Sequence, residues 1–447
     1  MGIQSEFLLL LCSFIVINCE QNLLSPLLSD KLNLNHCNEV INDFFEAQII
    51  LFFAPAERNQ IEEQLVVYYN NPKLIINLDM IAIYENDHAT GFPNIIYSFF
   101  PSRRTGFKYT QISPTNLIYN ANSTFRKQCL GYSGAWLRNG EVKKMVCLST
   151  HPDWMGERKN ILQKRTIPQL FIPGTINSGS YLRKKSQLNI DKFHGTQDQS
   201  ILEQLVSGAR YLDLRPSVNY TYYVSYGANN MNPMKDIIRD VKEFLDNTEE
   251  IVILSFTRFS KGFDSELVHE FFIRYLEEEF ADYFLPAPDL FEWDTQLGEI
   301  WKSGKRLILS YNHDELRKNW TSLWSPVPLF SDNVHDLKTL KHHLTSAEQE
   351  IVEPKVTMAG ITSEIREVEN NSEVHFVRTN TTSLRPLGLV IGPYVTDWYN
   401  TLFHLSANIV AVDFIDATGI VEVALQWNDW RTSPCYYYQY IQNLKYP

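Results

Sequence analysis

The chain has 447 residues, 44% of them hydrophobic and 13% aromatic, and a formal net charge of −12 at pH 7. Such a composition folds around a large core and excludes a disordered polymer, and the length points to two or three domains. The acidic surplus excludes bulk attraction to nucleic acid or to an anionic membrane surface, leaving room only for a local basic patch.

The first feature in chain order is the apolar run at residues 7–17, FLLLLCSFIVI. It is too short to cross a bilayer and has the length of the apolar region of an export signal, with no Lys or Arg before it. We read residues 1–19 as a signal peptide and the mature chain as secreted; the other reading of the run is a buried N-terminal strand. Glu6 stands where a myristoylation motif needs Ser or Thr. No later stretch is long and apolar enough to span a membrane, so there is no transmembrane segment. Removing residues 1–19 takes away Cys12 and Cys19 and leaves Cys37, Cys129, Cys147 and Cys435. An even number in an exported chain suggests two disulfides. Cys129 and Cys147 flank an Asn139-Gly140 turn signal, so we pair them, which leaves Cys37 with Cys435. The sequons at Asn122, Asn219, Asn319, Asn370 and Asn380 are glycan acceptors in such a chain.

Residues 20–150 read as β-rich. The runs at 47–53, 64–69 and 74–78 are short, β-branched or aromatic, and punctuated by Pro, Asn and Gly. A small β-sandwich is the expectation. Residues 151–156 (HPDWMG) form a connector. From there to residue 447 the texture changes to strands alternating with helices. Residues 169–172 and 208–215 are strand-like, with a helix at 200–207 between them, and 222–225 forms a third strand. Asn232-Pro233 then opens a helix as N-cap and first-turn proline, with Ile237, Ile238, Val241, Phe244 and Leu245 on one face. The run 251–256 is a buried strand. A helix follows with Leu267, Val268, Phe271, Phe272 and Tyr275 as its apolar face. Strands at 306–310, 387–391 and 408–413 close the series. Repeated strand–helix units over nearly 300 residues predict an α/β fold of TIM-barrel type. In such a barrel, polar residues just past the strand C-termini converge. Here they are Thr175, Asn177 and Ser178, then Asp213 and Arg215, then Tyr226, Arg258, Asp413 and Asp416. An arginine beside a hydroxyl-rich, Gly-punctuated loop is a receptor for phosphate, and Tyr222, Tyr223, Tyr226 and Trp398 are candidates for an aromatic rim.

Four ordered segments are familiar together: Trp154-Met155-Gly156, the stretch IPGTINSGSY at 172–181, Gln197-Asp198 with Glu203-Gln204-Leu205, and GARYLDLR at 208–215. With residues 408–414 (NIVAVDF), they resemble the X domain of phosphatidylinositol-specific phospholipase C, in particular its calcium-independent, X-domain-only members, over roughly residues 150–430. The β-rich part resembles the extra domain of secreted animal members. The resemblance implies a distorted TIM barrel that cleaves the phosphodiester of an inositol phospholipid, with one histidine as base, a second as acid, and an arginine with an acidic or amide neighbour on the phosphate. Carried over by motif, the arginine is Arg215, its strand partner Asp213 and the amide Asn177. Thr175, Ser178 and Arg258, from the strand-end positions above, are read as substrate-binding. The base falls at Ile176 and the acid at Tyr226. A metal site of the calcium-dependent kind would place a ligand at Arg215, a cation, so the expectation is no metal and no cofactor.

Ile176 cannot move a proton, and each lost acid–base group is worth about 10²–10⁴-fold in rate. Tyr226 keeps a donor proton. The leading expectation is therefore a secreted, catalytically impaired phospholipase C-like protein that retains a pocket for an inositol phospholipid or a phosphorylated polyol headgroup, with peripheral membrane contact open to it. The alternatives are an active phosphodiesterase using Tyr226 as acid with Asp213 or His194 as base, although a loop histidine such as His194 ordinarily has no such role, and a binding module acting through residues 20–150.

Overall fold

The computed structural model describes residues 37, 47–55, 63–71, 79–86, 93–114, 117, 120–181, 195–227, 229–288, 292–361 and 385–436. The apolar run at 7–17, the strand expected at 74–78, His194, Asn370 and Asn380 lie outside them. Residues 47–428 make up one compact unit. In the other, Cys37 and Cys435 are disulfide-bonded with their Cα atoms 5.2 Å apart.

Seven strands precede residue 150: β1 (Gln48–Pro55), β2 (Glu63–Asn70), β3 (Asp79–Asn86), β4 (Pro93–Phe99), β5 (Thr105–Tyr109), β6 (Cys129–Arg138) and β7 (Glu141–Ser149). They form two antiparallel sheets, ordered β1-β2-β5 and β4-β3-β6-β7. Side chains two apart on several strands share one core: Ile49 and Leu51, Leu65, Val67 and Tyr69, Ile81 and Ile83, and Tyr132 and Trp136 across. That alternation is what packs one sheet on another. Strand β1 is apolar on its second face too. Ile50 and Phe52 approach Gly419, and from β2 the Tyr68 hydroxyl donates to Asp397 at 3.1 Å. Burial on both sides explains an unbroken IILFF run where a sandwich strand would alternate. Asn139 and Gly140, both at positive φ, turn β6 into β7, and Cys129–Cys147 clips the hairpin as expected.

From residue 172 the chain builds eight parallel strands: β8 (Ile172–Thr175), β9 (Tyr211–Leu214), β13 (Val252–Phe256), β14 (Leu307–Tyr311), β15 (Leu323–Trp324), β16 (Leu329–Phe330), β17 (Val356–Met358) and β18 (Ile409–Val412). Their order in the sheet is β15-β14-β13-β9-β8-β18-β17-β16. This is chain order around a barrel, with the two shortest strands unpaired to each other at the seam. The expected α/β barrel is present, distorted by that opening. Gly174 lets β8 close on β9: a Cβ there would meet Tyr211 Cδ1 at 2.9 Å, so the Tyr211 ring takes the space.

Four local expectations are overturned. Residues 222–225 are not a barrel strand but part of β11 (Thr221–Tyr226), the middle of an antiparallel sheet with β10 (Pro216–Asn219) and β12 (Asn229–Pro233). A tight hairpin at Asn219 and Tyr220 turns the run back before any crossover helix can form, and a parallel strand needs one. Residues 387–391 lie in the helix Arg385–Thr401, because an apolar stretch of that length fits a buried helix as well as a strand. In the helix Glu266–Glu279 the buried face is His269, Phe272, Ile273 and Leu276; Leu267 and Phe271 are more than half exposed. The helix Met234–Asn247 does bury the expected face, but Pro233 occupies its N-cap position. The Asn232 amide instead donates to the carbonyls of Gly179 and Tyr181 at 2.9 and 2.8 Å.

Candidate active site

The loop after β8 is held by amide side chains from three other segments. Gln197 Nε2 donates to Val412 O at 2.9 Å and Ile176 O at 3.3 Å, and its Oε1 accepts from Ile415 N. Gln204 Nε2 donates to Ser178 O at 2.9 Å, and Asn232 holds the next turn as above. These side chains, with Asp213, carry the short polar motifs singled out in the sequence. Their work is to fix one loop. Thr175 and Ser178 are consumed inside the turn: the Thr175 hydroxyl donates to Ser178 Oγ, which donates to Thr175 O. Both are buried and neither lines the cavity described next.

A cavity of about 310 Å³ opens at the C-terminal ends of the barrel strands, lined among others by Ile176, Asn177, Arg215, Tyr226, Arg258 and Asp413. Asp213, at the end of β9, is fully buried and works as a hub. Its Oδ2 accepts from Arg215 Nε and Nη2 at 3.2 and 3.0 Å and from the backbone N–H of Asn177 at 3.0 Å. Its Oδ1 accepts from the Thr257 hydroxyl at 3.1 Å. Both oxygens are engaged in holding the site, so Asp213 positions Arg215 and the loop. Burial works against the charge of Arg215, and Asp213 more than restores it, so the guanidinium stays cationic with its pKa raised. Arg258 reaches the same cavity with its pKa lowered by burial and by Arg215, and donates to Ser331 Oγ at 3.0 Å. Two cations on one small cavity favour an anion there.

Asn177 is fully buried in the cavity wall, its φ is +43°, and neither its Oδ1 nor its Nδ2 meets a partner among the described residues. A buried amide without partners costs the fold about 1–3 kcal/mol. Phe414, which follows Asp413, also has a positive φ, +48°; this is rare for a bulky side chain, and such outliers cluster at functional sites. Asp413 itself has a sealed Oδ1 without a partner among the described residues. Burial raises its pKa to about 7, against the pull of Arg215 and with the push of Asp213. Ile176 is its neighbour: a Cβ on Gly360 would lie 2.5 Å from Asp413 Oδ2 and 2.8 Å from Ile176 Cδ1. Tyr226 lines the cavity and packs on Phe414 and Ala417. Trp398 is buried in a helix beside Tyr394, and Tyr222 stacks on Tyr275, so neither belongs to a rim. Among the described residues, the carboxylates close enough to share a cation are Glu63, Asp198 and Asp416, none of which lines this cavity. The sequence reading placed Asp413 past the last strand but gave it no role; a lone Asp after a strand carries no mark of burial.

The deciding comparison is with curated proteins. The chain is 24% identical over 326 residues to the human protein PI-PLC X domain-containing protein 1, a match that covers 65% of this chain and 96% of that one. The chain is similar to the PI-PLC X domain-containing proteins over about two thirds of its length. It is also 25% identical over 194 residues to the variant-surface-glycoprotein phospholipase C of Trypanosoma brucei brucei, covering 35% of this chain and 51% of that one. Among solved structures, it aligns with the phosphatidylinositol-specific phospholipases C of Listeria monocytogenes (18% identity, TM-score 0.48, 62% of this chain and 99% of that one) and Staphylococcus aureus (16%, TM-score 0.46, 62% and 97%). No protein-family model matches the chain.

Proposed function

We propose that this chain is a phospholipase C-like protein that binds the phosphate ester of an inositol phospholipid headgroup or a phosphorylated polyol, and in which cleavage is impaired. The observation that carries the reading is the Asn177 amide, buried with both polar atoms unpartnered beside Arg215 and Arg258 in one cavity. A fold that tolerates that cost at a strained loop has a use for the amide. The phosphate sits against Arg215 and Arg258, with Asn177 donating from the loop. Ile176 and Tyr226 occupy the two positions where the resemblance calls for proton-transferring histidines. Asp213, with both oxygens engaged, does not replace the base. Residues 1–19 are proposed as an export signal, and Asn122, Asn219 and Asn319, all exposed, as glycan sites on the secreted protein. Among the described residues no helix is long and apolar enough to cross a membrane, so contact with a lipid surface is peripheral in this reading.

Two assays test it. Phosphatidylinositol cleavage should run at least about 10²-fold below histidine-bearing relatives, and equal rates would remove the claim of impairment. Glycerophosphoinositol should bind by calorimetry. Asn177→Gly, which keeps the left-handed backbone, should weaken binding without lowering Tm. Absence of binding to the wild-type protein would overturn the pocket assignment.

A further inference from the structure

The Asp413 carboxyl is a group that neither the fold nor the reading above uses. It directly follows β18 and lines the cavity, with Oδ1 sealed and without a partner among the described residues. Around it stand the Ile176 side chain, the bare backbone of Gly360 and the loop of Asn177. The charged and titratable groups facing it are Arg215 with Asp213 behind it, then Tyr226, Arg258 and Asp332 on the rest of the cavity wall. The nearer cation, Arg215, is already neutralised by Asp213. An anionic ligand drawn to Arg215 and Arg258 thus arrives beside a carboxyl that no cation of its own holds ionised. As carboxylate, Asp413 repels that anion; as acid, it offers an O–H donor where the anion offers acceptors.

We propose that the cavity takes up one proton with its phosphate ester, and that Asp413 is the group that receives it and donates the resulting O–H to a phosphate oxygen. The proposal rests on the phosphate-ester reading of the same cavity. The proton comes from solvent, no covalent bond is made or broken, and the carboxylic acid then plays the part of a fixed neutral donor, as a buried acid can. Ile176 is integral to this arrangement, because an apolar neighbour keeps the acid form favoured where a basic one would draw its proton. Burial of Asp413 brings its titration to about pH 7, so the linkage falls in the neutral range.

The probe is glycerophosphoinositol, a diester whose charge does not change between pH 6 and 8, since the second ionisation near pH 6 belongs to phosphate monoesters. For a protein group titrating at about 7, the bound-competent fraction falls roughly tenfold from pH 6 to pH 8, and so does the affinity. Calorimetry in buffers of different ionisation enthalpy should read uptake of a proton approaching one per ligand at pH 8. Asp413→Asn keeps a neutral donor, so it should bind with the low-pH affinity at every pH and take up no proton. Vesicles of phosphatidylcholine with and without phosphatidylinositol separate the sources: pH-dependent binding only with phosphatidylinositol assigns a lipid headgroup, and binding to the soluble ester alone assigns a free polyol phosphate. Wild-type binding that is flat with pH and proton-neutral overturns the role of Asp413 while leaving the pocket assignment intact. If Asp413→Asn does not fold, the wild-type proton count alone decides. Failure of the wild-type protein to bind either probe at any pH overturns the phosphate-ester reading itself.

Discussion

Asp413 also gives a prediction about the stability of the empty protein. In the unfolded chain an aspartate titrates at its ordinary 3.8; burial in the barrel mouth raises this one to about 7. Between those two values the folded state holds a proton that the unfolded state has released, so stability falls as pH rises across that interval and the full cost of ionising the buried group is present above about 7. At about 1.4 kcal/mol for each pH unit between the two values, the ceiling is ~4 kcal/mol. The side chain opens partly onto the cavity, and water there screens the charge, so we expect about 1–3 kcal/mol. Asp413→Asn removes the ionisation and keeps the shape. Thermal melts of both proteins should show a smaller gain for the variant at pH 5 than at pH 8, where its Tm should be raised by roughly 1–4 °C. The same Tm difference at both pH values, or a variant less stable at pH 8, would refute the burial argument.

Other perturbations read other parts of the fold. Ile176→His places an imidazole beside Asp413, a carboxylate partner that raises its pKa and orients it; with Tyr226→His, phosphatidylinositol cleavage should rise by about 10²–10⁴-fold for each group restored. No gain from the double variant, with its fold confirmed by near-UV circular dichroism, would mean that Arg215 and Asn177 do not hold phosphate in a reactive place. At the base of the barrel, Arg210 and Glu250 form a fully buried ion pair, and the guanidinium also donates to the carbonyls of Leu205, Ala209, His151 and Pro152. Arg210→Met strands Glu250 and those carbonyls and should cost about 3–5 kcal/mol in denaturant unfolding, while the double change with Glu250→Gln should cost less than the single one.

The barrel was legible in the sequence because its inner strands are nearly continuous apolar runs such as 251–256, a sign of two-sided burial. The motif loop was legible from Pro173-Gly174 and the small polar residues after it. What stayed hidden depended on distance across the fold. Nothing local to Asn232 tells a helix cap from a side chain reaching back to Gly179 and Tyr181. The exposed Leu267 and Phe271 have helical spacing, and spacing alone does not say which of two possible faces meets the barrel. Asp413 was visible as a polar residue after a strand, but its raised pKa comes from burial beside Ile176, 237 positions away in the chain.

The arrangement around Asp213 bears on why an impaired site would stay intact. Asp213 ties Arg215, the Asn177 backbone and Thr257 to one carboxylate, and Gln197 ties the same loop to β18. Those contacts serve the barrel mouth whether or not a proton is ever transferred, so loss of proton-transferring side chains would not by itself release them. The Asn177 amide and the Asp413 Oδ1 are different: neither contributes a bond to the fold, and each costs it stability. A barrel mouth kept only as scaffold gains by replacing both with apolar side chains. Their presence side by side with Arg215 and Arg258 therefore favours a cavity still used for an anion over a closed relic of catalysis.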